Sequence, residues 1–172
     1  MNLALIGYRG TGKTTVARLV AERLAWPWFD ADAEIESRAG KSIAQIFSDD
    51  GEAAFRDWEA QVVADLAARD GCVLALGGGA VMREENRQAI GLHTRVVWLT
   101  APAETLWQRI GQDESTAGRR PNLTAAGGIT EIIATLGQRE AIYRQCAHLE
   151  VDTQSKTPAE VADAVLAGLG VG

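Results

Sequence analysis

The sequence has 172 residues, of which 47% are hydrophobic, and this length is typical of one compact domain. Asp and Glu number 23 against 17 Lys and Arg, and the formal net charge of -6 disfavours nucleic acid and anionic membranes as partners. No apolar run approaches the roughly 18 residues that cross a bilayer, and the first apolar run is too short for a signal peptide, so we expect a cytoplasmic protein. We expect a monomer because the chain is compact and its surface is acidic.

Short apolar runs alternate with amphipathic stretches, a pattern typical of a parallel sheet with helices on both faces. The predicted strands are residues 3–6, 28–30, 72–76, 96–99 and 149–151. The predicted helices are residues 13–24, 42–47, a longer helix from 51, then 102–110, 130–146 and a last helix that has Pro158 near its start. We therefore expect one α/β domain over residues 1–172.

The segment from Gly7 to Thr14 fits the pattern G-x-x-x-x-G-K-[ST], directly after the first predicted strand and directly before the first helix. In such a loop backbone N–H groups converge on phosphate oxygens, Lys13 reaches the β- and γ-phosphates, and Thr14 can bind Mg²⁺. A glycine turn with a surface lysine is the alternative, but this placement argues against it. The expected ATP-binding residues are Gly10, Thr11, Gly12, Lys13, Thr14 and Thr15.

Two carboxylates, Asp30 and Asp32, end the second predicted strand. In extended backbone residues i and i+2 point to the same side, so both acids are expected beside the nucleotide at the carboxyl edge of the sheet. A kinase that acts on a hydroxyl needs an acceptor for the attacking O–H, a role that suits Asp32, and an acid near Mg²⁺, which suits Asp30. The alternative is that Asp32 only caps the following helix.

Further candidates lie on the predicted helices and loops. Residues 31–68 could form a small helical insertion that holds the substrate, and within it Arg56 and Glu59 are close enough to pair. Three glycines at 77–79 follow the third strand, where they form either a plain turn or a close approach to a ligand. Residues 111–124 lack any period and predict a mobile lid, in which Arg120 precedes a proline.

In this order the motifs resemble the shikimate kinase family, which belongs to the nucleoside-monophosphate-kinase-like group of P-loop proteins. The resemblance runs from residue 3 to about 169. It rests on residues 7–14, 29–32 with 35–36, Gly51 with 55–56 and Glu59, 77–79, 120–121, and Arg139 with 143–144. It implies a three-layer P-loop kinase fold, with a five-stranded parallel sheet flanked by helices, a lid and a small helical substrate-binding insertion.

The resemblance also implies residue roles. Asp32, Arg56, Gly78 and Arg139 would hold shikimate, with the arginines on its carboxylate, and Lys13, Asp32 and Arg120 would be catalytic. Thr14 and Asp30 would form the magnesium site, and Arg109 and Arg120 would also contact ATP. The implied reaction moves the γ-phosphate of ATP to the 3-hydroxyl of shikimate, a step toward chorismate and the aromatic amino acids.

Two alternatives stay open on the sequence alone. Another small-molecule kinase of this group, acting on gluconate or a nucleotide, would share the phosphate loop but needs a different acceptor site. A non-catalytic nucleotide switch is the other, although no Asn-Lys-x-Asp guanine signature occurs.

Overall fold

The computed structural model describes residues 1–91, 93–112 and 127–170. In this part of the chain five strands form one parallel sheet in the order β2-β3-β1-β4-β5. Their bounds are β1 Asn2–Ile6, β2 Trp28–Asp30, β3 Val73–Ala75, β4 Thr94–Thr100 and β5 Leu149–Asp152. The five-stranded parallel sheet flanked by helices that the sequence predicts is confirmed.

Helices cover both faces of this sheet. Within the described residues they are α1 Lys13–Leu24, α2 Ala31–Ala39, α3 Ile43–Asp49, α4 Gly51–Ala67, α5 Glu84–Gly91, α6 Ala103–Gln112, α7 Gly128–Cys146 and α8 Pro158–Leu169, with a 3₁₀ turn at Ala80–Met82. Strand β1 alternates between two cores, because Leu3 and Leu5 pack with α1 and α8 whereas Ala4 and Ile6 pack with α4 and α7. The sheet is therefore the middle layer of three.

The strand register brings the carboxyl ends of three strands to one edge of the sheet. Ile6 pairs with Trp98, and both Leu5 and Asp30 pair with Ala75. Because the strands are parallel, the chain leaves β1, β2 and β3 at the same carboxyl edge, where such sheets bind ligands.

Local signals explain where several helices begin. Ser42 caps α3 in a capping box with Gln45, and Thr157 caps α8 in the same way with Glu160. Pro158 occupies the first turn of α8, where its missing N–H has no intrahelical partner to lose. Helix α5 and the 3₁₀ turn are not predicted by the sequence pattern.

The predicted lid lies almost wholly outside the described residues. Its first two residues, Gly111 and Gln112, end α6, and residues 113–124, which include Arg120, are not among those described. In the described ranges no helix is both long enough and apolar enough to span a bilayer.

Candidate functional site

The phosphate loop curls around the side chain of Lys13. The ammonium group donates hydrogen bonds to the carbonyl oxygens of Gly7 at 2.8 Å and Tyr8 at 2.9 Å. Gly10 and Gly12 have φ values of 88° and 87°, a left-handed conformation that costs glycine little. A Cβ at Gly7 would come within 2.4 Å of the Leu99 carbonyl oxygen, so the loop also needs a glycine there.

The loop threonines differ in their surroundings. Thr11 is buried, and its hydroxyl donates to the Tyr8 carbonyl at 2.9 Å, which stabilises the loop itself. Thr14 and Thr15 are exposed in the first turn of α1, next to the loop. The N-terminus of this helix points its N–H groups and positive dipole end toward the loop, an arrangement that favours phosphate.

The acid pair does not have the geometry that the sequence predicts. Strand β2 ends at Asp30 and helix α2 begins at Ala31, so Asp32 lies in the first turn of a helix. Asp30 is the N-cap, and its Oδ1 accepts hydrogen bonds from the backbone N–H of Asp32 at 2.9 Å and of Ala33 at 3.3 Å. The extended arrangement was therefore wrong, and the capping residue is Asp30 rather than Asp32.

The second oxygen of Asp30 faces the phosphate loop. Its Oδ2 accepts a hydrogen bond of 2.6 Å from the hydroxyl of Thr14. A carboxylate and a hydroxyl in contact are hard oxygen donors, which Mg²⁺ prefers, and this ion commonly takes its other ligands from waters and substrate phosphates. The pair therefore fits a magnesium ion shared with a nucleotide. Among the described residues no group of three or more His, Cys, Asp or Glu side chains could hold a metal by itself.

Arg56 on helix α4 is held against the glycine turn after β3. Its Nη1 donates a 2.8 Å hydrogen bond to Oε2 of Glu59, and the two side chains are 16% and 1% exposed. A Cβ at Gly79 would lie 2.5 Å from Nη1 and 2.7 Å from Nη2 of Arg56. The guanidinium therefore occupies space that a side chain at Gly79 would fill, and Glu59 fixes its orientation.

Arg139 on helix α7 reaches the same turn next to Gly78. A Cβ at Gly78 would lie 3.3 Å from Nη1 of Arg139, 3.3 Å from the Gly7 carbonyl oxygen and 3.5 Å from the hydroxyl of Tyr143. Tyr143, which is fully buried, donates a hydrogen bond to the Gly78 carbonyl. The two arginines thus approach one glycine turn beside the phosphate loop.

Arg109 joins three segments near the expected nucleotide. From α6 it donates hydrogen bonds to the Thr153 hydroxyl at 2.9 Å, the Thr153 carbonyl at 2.7 Å and the Gly10 carbonyl at 3.4 Å. Thr153 in turn donates to the carbonyl of Thr100. The guanidinium is therefore fixed between the phosphate loop and the segment after β5.

The structure brings together most of the predicted site residues and adds one that the sequence does not single out. One edge of the sheet carries the phosphate loop, the acid pair, Gly78, and the two arginines Arg56 and Arg139. Arg120 falls outside the described residues. Tyr8, in the loop, was given no role. Its side chain is 3% exposed and its backbone carbonyl accepts hydrogen bonds from Lys13 and Thr11, so it shapes the loop, and no pattern in the sequence marks it.

Comparisons with known proteins agree with this geometry. A family model described as shikimate kinase matches residues 9–169. Curated shikimate kinases of Rhodopirellula baltica and Burkholderia pseudomallei are 42% and 44% identical, over 96% and 89% of this chain and 88% and 81% of theirs. A solved shikimate kinase from Acinetobacter baumannii, in complex with shikimate, is 36% identical with a TM-score of 0.89, covering 96% of this chain and 90% of that one.

Proposed function

This chain belongs to the shikimate kinase family, and from that premise we propose which residues perform its reaction, the transfer of the γ-phosphate of ATP to a hydroxyl of shikimate. Enzymes of this chemistry act by positioning the two substrates and by stabilising charge on the transferred group. The other kinases and the nucleotide switch that the sequence left open are not favoured by the comparisons.

The observation that supports the substrate site best is the approach of Arg56 and Arg139 to the turn at Gly78 and Gly79, next to the phosphate loop. Planar guanidinium groups bind carboxylates through paired hydrogen bonds, and shikimate carries one carboxylate. We assign the carboxylate to these two arginines and to the backbone at Gly78. Its hydroxyl-bearing side then faces the phosphate loop, from which the γ-phosphate is transferred.

We propose that Asp32 binds the 3-hydroxyl of shikimate, which attacks the γ-phosphate. Its place in the first turn of α2, two residues beyond a carboxylate that touches Thr14, supports a role next to the transferred phosphate. The carboxylate accepts the proton of the hydroxyl as the phosphoryl group moves. Lys13 and, on sequence grounds, Arg120 neutralise charge on the γ-phosphate.

The remaining assignments concern ATP and its metal ion. We assign the ATP phosphates to residues 10–15, and Thr14 and Asp30 would hold Mg²⁺, which would offset the negative charge of the phosphates. Arg109, fixed by Thr153, lines the adenine site together with the segment after β5. We also propose a monomer that acts in the cytoplasm without nucleic-acid or membrane partners, which the net charge of -6 supports.

An acceptor panel tests the reaction, and one variant tests the base. The protein is mixed with Mg-ATP and either shikimate, gluconate, AMP or no acceptor, and ADP release is followed. We expect release with shikimate alone; equal release without an acceptor would indicate an ATPase. Asp32→Asn should lower kcat by at least about 10²-fold, the scale of general-base catalysis, with ATP affinity unchanged. Normal turnover in this variant would remove Asp32 from the reaction.

A further inference from the structure

A cavity lies between helix α5, strand β4 and the end of helix α7. It has a volume of about 320 Å³, which is enough for a small organic molecule. Val81, Ile90 and Val96 form its apolar wall, and they are 1%, 2% and 2% exposed. Among the described residues that line the cavity, none belongs to the ATP site or the shikimate site proposed for this chain. The cavity is therefore a separate feature of the molecule.

Arg87 brings a positive charge to this cavity. Its Nη1 donates hydrogen bonds of 2.8 Å to the carbonyl oxygens of Val81 and Met82, which fixes the guanidinium group. Within the described part of the chain, Nε and Nη2 of this residue make no hydrogen bond. The N–H groups on these two nitrogens form a planar fork, and such a fork binds both oxygens of a carboxylate.

His148 adds a fixed hydrogen-bond donor. Its Nδ1 accepts a hydrogen bond of 3.1 Å from the backbone N–H of Val96, and its own backbone N–H donates to the Val96 carbonyl at 2.8 Å. A ring nitrogen that accepts carries no proton, so the imidazole proton is on Nε2, which can donate. His148 and Gly91 also line a neighbouring cavity of about 280 Å³, so the two cavities adjoin at these residues.

The surroundings of the two cavities are positively charged. Arg95 is exposed and lines the neighbouring cavity. Over the described ranges, no ion pair joins Arg87 or Arg95 to a carboxylate, and neither cavity is lined by Asp or Glu. Met1 also lines the neighbouring cavity, and its amino group pairs with Asp70. In a chain with a net charge of -6, this local excess of positive charge should attract a small anion.

We propose that the cavity is a second ligand site, which binds a small organic carboxylate with an apolar body. The apolar wall covers the body of the ligand, and the free fork of Arg87 with the Nε2–H of His148 binds its carboxylate. Ligand sites of this kind are mostly apolar and use a few polar groups to orient the ligand. The site goes beyond the proposed function, because no step of the phosphoryl transfer uses it.

The thiol of Cys146, which also lines the cavity, is compatible with an anionic ligand. Burial raises the pKa of this thiol above its ordinary value, and the positive charge of Arg87 opposes the effect. The thiol therefore keeps its proton at neutral pH and supplies no negative charge of its own. The charge of Arg87 is left for the ligand.

Benzoate and benzamide are suitable probes, because they share a ring and differ in charge. An NMR titration gives the Kd of each probe in the presence of saturating shikimate and Mg-ADP, which keep benzoate from the arginines of the catalytic site. Arg87→Gln removes the charge and keeps an amide that can donate to a carbonyl. Gly91→Leu adds a side chain where the two cavities adjoin, and nothing lies within 4 Å of the position of its Cβ. Arg18→Gln, at an exposed position on α1, is the matched control.

We expect the wild type to bind benzoate at least about 10-fold more tightly than benzamide. Arg87→Gln should weaken benzoate binding by about 10-fold to 150-fold, the scale of hydrogen bonds between charged groups, and should change benzamide binding less than about threefold. Gly91→Leu should weaken the binding of both probes, and Arg18→Gln should change neither. If Arg87→Gln does not fold, Gly91→Leu and the preference of the wild type for benzoate still test the site.

Three results would overturn the inference. The wild type could show no saturable binding of benzoate while its catalytic site is filled, or it could bind benzoate and benzamide equally. Benzoate could also bind the Arg87→Gln and Gly91→Leu variants as tightly as the wild type, which would place its site elsewhere. Each of these results leaves the proposed function intact, because ADP release with shikimate tests that function separately.

Discussion

Replacing Gly79 by alanine tests the position of Arg56 without touching the arginine. Gly79 has φ -96° and ψ -5°, a conformation open to alanine, so the backbone is not strained. The new Cβ would meet Nη1, Nη2 and Cζ of Arg56 at 2.5, 2.7 and 2.9 Å. Ordinary carbon contacts are roughly 3.5 to 4.0 Å, so the guanidinium must retreat by roughly 1 Å.

This displacement of the Arg56 guanidinium should weaken the binding of shikimate. Hydrogen bonds between charged groups contribute about 1.5 to 3 kcal/mol, so losing their geometry should raise the shikimate KM by about 10-fold to 150-fold. The ATP KM should change by less than about twofold, because the hydrogen bond and ion pairs described for Arg56 join it to Glu59 and Glu52, which lie outside the phosphate loop. Steady-state ADP release, with each substrate varied at saturation of the other, gives both constants.

Gly137→Ala is the matched control. Gly137 is exposed in the interior of α7 and nothing lies within 4 Å of the position of its Cβ. Alanine there should leave both KM values unchanged and raise the free energy of unfolding by about 0.5 to 1 kcal/mol. An unchanged shikimate KM in Gly79→Ala would refute the placement of the carboxylate at Arg56, and a matching rise in the ATP KM would indicate a collapsed turn instead.

Two further substitutions test the metal and the lid. Asp30→Asn keeps an oxygen that can cap α2 but removes the charge facing Thr14, so half-maximal activity should need about 10-fold to 100-fold more Mg²⁺, with little change in Tm; an unaltered magnesium titration would exclude Asp30 from the metal site. Arg120→Ala should lower kcat by about 10³-fold if this side chain acts as an arginine finger, and single-turnover rates equal to the wild type would contradict that role.

The fold was predictable wherever the signals are local. The loop from Gly7 to Thr14 lies between a strand and a helix that are neighbours in sequence, and α1 has the predicted bounds, Lys13–Leu24. Helix α5 was missed because few of its residues are apolar and buried. Side-chain hydrogen bonds to the preceding 3₁₀ turn hold it instead: the Asn86 amide donates to the Ala80 carbonyl, and Arg87 donates to the carbonyls of Val81 and Met82. Such contacts leave no period in the sequence.

The acid pair shows how the residue at which a helix begins can change a site. The sequence correctly places Asp30 at the end of β2, but a spacing of two residues was taken to mean extended backbone. Because α2 begins at Ala31, Asp30 caps the helix with one oxygen and contacts Thr14 with the other, and Asp32 is directed by helical geometry. Helix boundaries are the least certain part of any pattern, and here the boundary decides where each carboxylate faces.

The glycine turn after β3 shows what the sequence could not reveal. A run of three glycines predicts either a plain turn or a backbone that approaches a ligand closely. The structure adds a third reason: side chains at Gly78 and Gly79 would fill the space next to Arg139 and Arg56, which arrive from two different helices. The absence of two Cβ atoms thus allows distant arginines to converge beside the phosphate loop. A substitution that only adds a methyl group at Gly79 is therefore a sharper probe of the site than the removal of Arg56, because it leaves a cation beside the buried carboxylate of Glu59.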